Sequence, residues 1–267
     1  MRSPVLSFVT AVPNMSATAE GAAKPAFTLY ISDKCPYAQR TWIAARELGV
    51  PFECQTMELG KDNREDWFLK LNPLGKVPTI VHGYDVVYES LVVNEYLAEV
   101  FSPGGEYNAA PLLPNSPAAK AKARIIAARS NDLVTSFFGY LSNKDEEQEA
   151  AKREKFEKEL GVLNDWAAAG AGDGKDCGWL CGSAGEGRMT LADLAYFPFL
   201  ERIDATLKPF KGWSLSDSKL HALMAWMEKC RAKDSVAGTV KDPAEWAELY
   251  KKFLGINYFE RAGVVQE

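Results

Sequence analysis

Cys35 stands in the stretch SDKCPYAQRTW, directly before Pro36 and a run of helix formers. Proline suits the first position of a helix, where its missing N–H leaves no hydrogen bond unmade, so Cys35 falls at that helix's start. Unpaired backbone N–H groups and the positive end of the helix dipole favour a thiolate there, and Cys35 is expected to be more acidic than a free thiol. Ala38 occupies the place where a C-x-x-C pair would carry its second cysteine. A disulfide at Cys35 must therefore take its other sulfur from elsewhere. Two further places carry polar chemistry. Val77-Pro78 closes the loop NPLGKVP just before an apolar run, and Glu89-Ser90 stands where a strand gives way to a helix. Helix-start N–H groups can hold a carboxylate while Glu89 accepts from an ammonium, so this pair suits a zwitterion. Taken singly, each feature has a commoner structural explanation: a small buried cysteine, a trans proline, a helix N-cap.

The elements that must position these residues follow from pattern. FTLYI (27–31) is aromatic and β-branched, a helix runs from Pro36 to about Leu48, and FECQTM (52–57) is a second strand, which makes a βαβ unit. A short helix around Arg64–Leu71, strands at TIVH and DVVY, and a helix from Ser90 to about Phe101 complete the order β-α-β-α-β-β-α. The segment 101–117 is rich in Pro, Gly and Asn, the composition of a linker. Everything beyond it is helical in pattern: Ile126, Leu133, Phe137 and Leu141 share one stripe, and Phe156, Leu160, Leu163 and Ala167 share the next. Thr190 with Asp193 three residues on forms a capping box, in which Asp replaces the usual Glu. The predicted domains are an extension at 1–24, an α/β domain at 25–104 and an all-α domain at 105–267.

Composition excludes several classes. The chain has 267 residues and a net charge of -5, without the basic footprint of nucleic-acid binding. No apolar run approaches the roughly 20 residues that cross a bilayer. Five cysteines without dense spacing suit a reducing compartment, and with only His82 and His221 as histidines they make no zinc pattern. Residues 1–24 are rich in Ser, Thr, Ala and Pro, either a disordered extension or an organellar address.

CPYAQR, NPLGKVPTI, YESLVVNEYL and TLADLAYFPFLER, in this order and spacing, resemble the cytosolic-type glutathione transferases of the cysteine-bearing branch, the omega and lambda classes. The likeness runs from about Phe27 to Phe259. It implies a thioredoxin-like first domain with a cis Pro78, followed by a helical substrate-binding domain. It also implies residue roles. Cys35 forms a mixed disulfide with glutathione, Val77 and Pro78 receive its cysteinyl backbone, and Glu89 and Ser90 take its γ-glutamyl end. Arg64 approaches its glycyl carboxylate, with Lys61 and Lys76 as weaker candidates. Glutathione is then a cosubstrate and no metal is needed. A second glutathione resolves Cys35, so the missing thiol is the cosubstrate itself. The partners expected are small hydrophobic or glutathionylated molecules, with dehydroascorbate as a further substrate the same thiolate could reduce, and the protein is expected to be a cytoplasmic monomer or homodimer. Two alternatives stay open: a conjugating transferase using the Tyr30 or Ser32 hydroxyl, and a non-enzymatic carrier or channel-like relative.

Overall fold

The structure is a computed structural model that describes residues 25–101, 107, 109–170 and 178–262. The predicted extension at 1–24, the domain boundary at 104/105 and residues 171–177 of the Gly-rich loop lie outside the described residues. Four strands, β1 (Phe27–Ile31), β2 (Phe52–Thr56), β3 (Thr79–His82) and β4 (Asp85–Tyr88), form one sheet in the order β2-β1-β3-β4. β1 pairs parallel with β2 and antiparallel with β3, and β3 pairs antiparallel with β4. Helices α1 (Pro36–Leu48), α2 (Asp66–Leu71) and α3 (Ser90–Val100) accompany the sheet. The predicted helix at 64–71 is divided: a 3-10 turn ends at Arg64, Glu65 is extended, and α2 begins at Asp66.

Alternation along β1 explains the two faces of the sheet. Phe27, Leu29 and Ile31 are buried in the core, whereas Tyr30 points to the other face, against Trp67 and Phe68 around α2, with ring centroids at 5.7 and 5.6 Å. Among the described residues seven α-helices follow: α4 (Pro117–Leu141), α5 (Glu146–Ala169), α6 (Leu191–Lys211), α7 (His221–Arg231), α8 (Asp234–Ala237), α9 (Pro243–Gly255) and α10 (Tyr258–Arg261). The thioredoxin-like and all-helical parts of the fold are therefore both present. The four-residue helices α8 and α10 were not anticipated, since one turn is too short to show a hydrophobic period.

α1 joins the two parts through a buried polar seam. Arg40 is 3% exposed and donates through Nε to the Ala195 carbonyl of α6 at 2.9 Å, through Nη2 to Ser130 Oγ of α4 at 2.9 Å, and through Nη1 to Ser90 Oγ of α3 at 3.3 Å. Burial pushes its guanidinium down to about 10. Gln39 Nε2 donates to Glu201 Oε2 of α6 at 2.7 Å, and Thr41 to Asn94 of α3 at 2.8 Å. Such bonds are directional, so they fix the axial position of α1 between the sheet and α6, and hence where its first residue emerges. Among the described residues no helix is long and apolar enough to cross a membrane.

Candidate functional site

Cys35 is the N-cap of α1, with Pro36 in the first turn and no cap hydrogen bond from its side chain. Its N–H donates to the Ser32 carbonyl and its own carbonyl accepts the Gln39 N–H, both at 3.0 Å. The backbone is thus fixed while the sulfur stays out of the cap. Across the loop, the Val77–Pro78 bond is cis, and the Cys35 thiol donates to the Val77 carbonyl at 3.7 Å. The structure brings these three residues together at the C-terminal end of the loop 72–78. That loop is held shut locally: Asn63 Nδ2 donates to the Gly75 carbonyl at 2.5 Å, and Gly75 has φ +58 with no room for a Cβ, which would lie 2.7 Å from the Asn63 carbonyl. Only glycine meets both demands.

The acidity of Cys35 runs opposite to the expectation. The residue keeps some exposed surface, yet dense protein surrounds the sulfur, and burial pushes the thiol up. The N–H groups of Ala38 and Tyr37 and the cations of Arg202 and Arg40 all pull it down, and burial wins. The helix start therefore acts in the expected sense, but desolvation of the charged form is larger.

Glu89 is the N-cap of α3 and has φ +71, a conformation that a residue with a side chain adopts only under constraint. Its side chain is exposed. Ser90 is buried; its hydroxyl accepts from Arg40, while its backbone N–H lies in the first turn of α3, where helices leave N–H groups unpaired. Arg64 is exposed, with Nη1 about 3.0 Å from where a Gly75 side chain would begin, so it lies over the loop that ends at Val77. Lys61 pairs with Glu58 at 3.4 Å, and Lys76 is exposed. Of the alternative hydroxyls, Tyr30 lies on the α2 face, where burial and then Glu53 push its phenol up. Ser32 is buried beside Cys35.

The helical part supplies neighbours that sequence reasoning did not assign. Tyr37 meets Phe199 of α6 at 5.1 Å, Phe199 meets Phe138 at 6.4 Å, and Phe138 stacks on Phe259 of α10 at 4.5 Å. Of the aromatic candidates on α4, Phe138 lies on this line, Phe137 packs beside it at 4.8 Å and also meets Phe156, and Tyr140 stacks on Phe156. Tyr258 stacks on Phe253 at 4.4 Å, and its phenol is pushed up by burial first and Cys35 second, with Arg64 opposing. α10 therefore lies within electrostatic reach of both Cys35 and Arg64. Arg202, fully buried on α6, also reaches the sulfur. Its sequence signal was a charge on the stripe Ala195, Phe199, Arg202, Thr206, all buried positions at helical spacing. Among the described residues no group of three or more His, Cys, Asp or Glu side chains could hold a metal.

Two family models match the chain, one described as Glutathione S-transferase, N-terminal domain, at residues 34–100, and one as Glutathione S-transferase, C-terminal domain, at residues 146–231. Glutathione S-transferase U28 of Arabidopsis thaliana is 31% identical, over 82% of this chain and 89% of its own length. Glutathione S-transferase L3 of the same plant is 27% identical, over 84% of this chain and 86% of its own. Among solved structures, glutathione transferase Omega 3C from Trametes versicolor is similar with a TM-score of 0.70 at 26% identity, covering 88% of this chain and 93% of that one.

Proposed function

This chain belongs to the glutathione S-transferase family, and we propose that within it the chain is a glutathione-dependent thiol transferase with Cys35 as nucleophile. The observation that carries this reading is the Cys35 sulfur at the uncapped start of α1, 3.7 Å from the carbonyl of the cis Val77–Pro78 pair, with Ala38 in place of a second thiol. In a disulfide R–S–S–G the Cys35 thiolate attacks the glutathione sulfur. The Cys35–SG bond forms, the S–S bond of the disulfide breaks, and R–S⁻ leaves to take up a proton. A second glutathione thiolate attacks the glutathione sulfur of that mixed disulfide, which yields oxidised glutathione and returns Cys35 as a thiolate. The same attack on a glutathionyl adduct R–SG releases R as a carbanion that is then protonated.

Val77 holds the cysteinyl backbone of glutathione, Glu89 and the Ser90 N–H hold its γ-glutamyl end, and Arg64 approaches its glycyl carboxylate. The aromatic line Tyr37, Phe199, Phe138 and Phe259 offers an apolar wall for R. A raised thiol does not remove this chemistry. Each unit of increase lowers the thiolate fraction tenfold, yet the remaining thiolate gains about threefold in nucleophilicity at a Brønsted slope of about 0.4–0.5. The protein acts in the cytoplasm unless residues 1–24 address it elsewhere, which the location of a fluorescent fusion of those residues reveals.

One observation favours a second reading: the same upward shift leaves Cys35 mainly protonated at neutral pH, as a conjugating transferase using a hydroxyl would tolerate. Of the two hydroxyl residues, Ser32 is the one next to Cys35, its carbonyl accepting the Cys35 N–H, whereas Tyr30 faces α2. Intact mass after incubation with oxidised glutathione tests the first reading. The expected result is one added glutathione, absent in Cys35→Ala; equal yield in that variant contradicts it.

A further inference from the structure

Arg202 is an unusual group for the interior of a helical domain. It is 0% exposed, and two of its three guanidinium nitrogens, Nε and Nη2, have no hydrogen-bond partner. Nη1 alone is bonded, to the Pro198 carbonyl and to Gln39 Oε1 at 2.5 Å. The guanidinium carbon lies 3.7 Å from the centroid of the Trp246 ring. A charge in this position is costly unless something nearby gains from it.

The adjacent carboxylate compensates it only in part. Glu201 Oε2 approaches Nη1 at 3.6 Å, but that oxygen accepts from Gln39 Nε2 at 2.7 Å, and Oε1 accepts from the Lys241 N–H at 2.9 Å and Trp246 Nε1 at 2.8 Å. Glu201 is thus oriented by neutral donors and makes no fork with Arg202. Gln39 is the link to the site. It lies four residues after Cys35 on α1, its N–H bonded to the Cys35 carbonyl, and its side-chain amide grips Arg202 with its oxygen and Glu201 with its nitrogen. Arg202 is therefore tied one helical turn behind the sulfur.

We propose that Arg202 is a positioning residue for the sulfur chemistry of Cys35: its buried, partly uncompensated cation, held by Gln39 one turn along α1, favours negative charge on the sulfur. The proposal rests on Cys35 being the nucleophile and adds what offsets its burial. The groups around the sulfur agree with it. Among the described residues, Tyr37 and Arg40 of α1, Arg202 of α6, Tyr250 of α9 and Tyr258 of α10 share its field, and of these Arg40 and Arg202 are the cations. Arg40 makes three hydrogen bonds across the seam, to Ala195, Ser90 and Ser130. Arg202 in turn faces Tyr250, Glu201, Cys35 and Asp33, and is pushed down by burial before any of them.

The test is the pH dependence of iodoacetamide alkylation at Cys35, read on the peptide that carries it in the full-length protein. Arg202→Met removes the cation, and the midpoint moves up by about one pH unit, an about tenfold loss of thiolate at pH 7. Glu201→Gln keeps one acceptor oxygen and removes the compensating anion, so the midpoint moves down. A packing role alone would move both variants the same way, through loosening around the sulfur, and opposite shifts carry the proposal. It is overturned by a Glu201→Gln midpoint that is unchanged or raised, or by a cooperatively melting Arg202→Met protein with the wild-type midpoint. If Arg202→Met does not melt cooperatively, the Glu201→Gln direction decides alone. Alkylation reads the sulfur whether or not glutathione adds to it, so a failed glutathione adduct and a failed Arg202 effect are separate results.

Discussion

The starts of α1 and α6 solve opposite problems with the same geometry. At α6, Thr190 Oγ1 accepts the Ala192 N–H, and the Asp193 carboxylate accepts the N–H groups of Thr190 and Leu180 and Trp226 Nε1, each at 2.9 Å. Every part of that cap is buried. At α1 the N-cap is Cys35, whose side chain makes no cap hydrogen bond and donates to the Val77 carbonyl, although, against burial, the N–H groups of Ala38 and Tyr37 pull its pKa down. One start is closed by a side-chain cap; the other carries a thiol in its place. In both, burial raises the acid against the hydrogen bonds that would lower it. Partners at a helix start therefore do not by themselves set the charge state, because the desolvation around them competes.

Substitutions sharpen that contrast. Asp193→Ala leaves three buried N–H donors without an acceptor, at about 1–3 kcal/mol each, so a loss of at least about 3 kcal/mol is expected in urea unfolding. Cys35→Ala, by contrast, is expected within about 1 kcal/mol of wild type in the same experiment, since no cap is lost. A similar loss in both would erase the distinction between the two starts. The start of α3 gives an intermediate case. Glu89→Gly removes the acceptor proposed for an ammonium and weakens glutathione binding by about 1.5–3 kcal/mol, measured by calorimetry. It also relieves a φ of +71, so thermal stability rises by about 1 kcal/mol. Loss of stability together with retained binding would place the γ-glutamyl end elsewhere.

The smallest effect concerns acidity. Because the Cys35 thiol is raised, its thiolate appears only as pH climbs past the ordinary thiol value of about 8.5. Alkylation of Cys35 without glutathione is therefore slower at pH 7 than for a free thiol, and grows with pH up to a midpoint above that value. A midpoint below 8.5 would mean that the helix start outweighs burial after all.

How far the sequence carried these conclusions depended on the range of the interaction. The capping box at Thr190 and Asp193, the helix opened by Pro36 and the strands that follow Val77-Pro78 all rest on residues a few positions apart, and the structure contains them. The acidity of Cys35 does not. It depends on what α6, α9 and α10 pack around the sulfur, from residues over 150 positions away, and no local pattern carries that information. Arg202 lies between these cases. Its charge on a buried stripe was visible, but its tie to Gln39 needed the docking of α1 on α6. Tyr258 had no signal, because a four-residue helix shows no period.

The central claim is that the Cys35 sulfur itself becomes bonded to glutathione. Cys35→Ser tests it most directly when thiol transfer from a small glutathione mixed disulfide and conjugation of glutathione to an aryl halide are measured side by side. Serine preserves the N-cap and the size of the side chain but cannot form a disulfide. The account predicts that thiol transfer falls to the uncatalysed rate while conjugation is retained or rises; thiol transfer that persists in Cys35→Ser would contradict it.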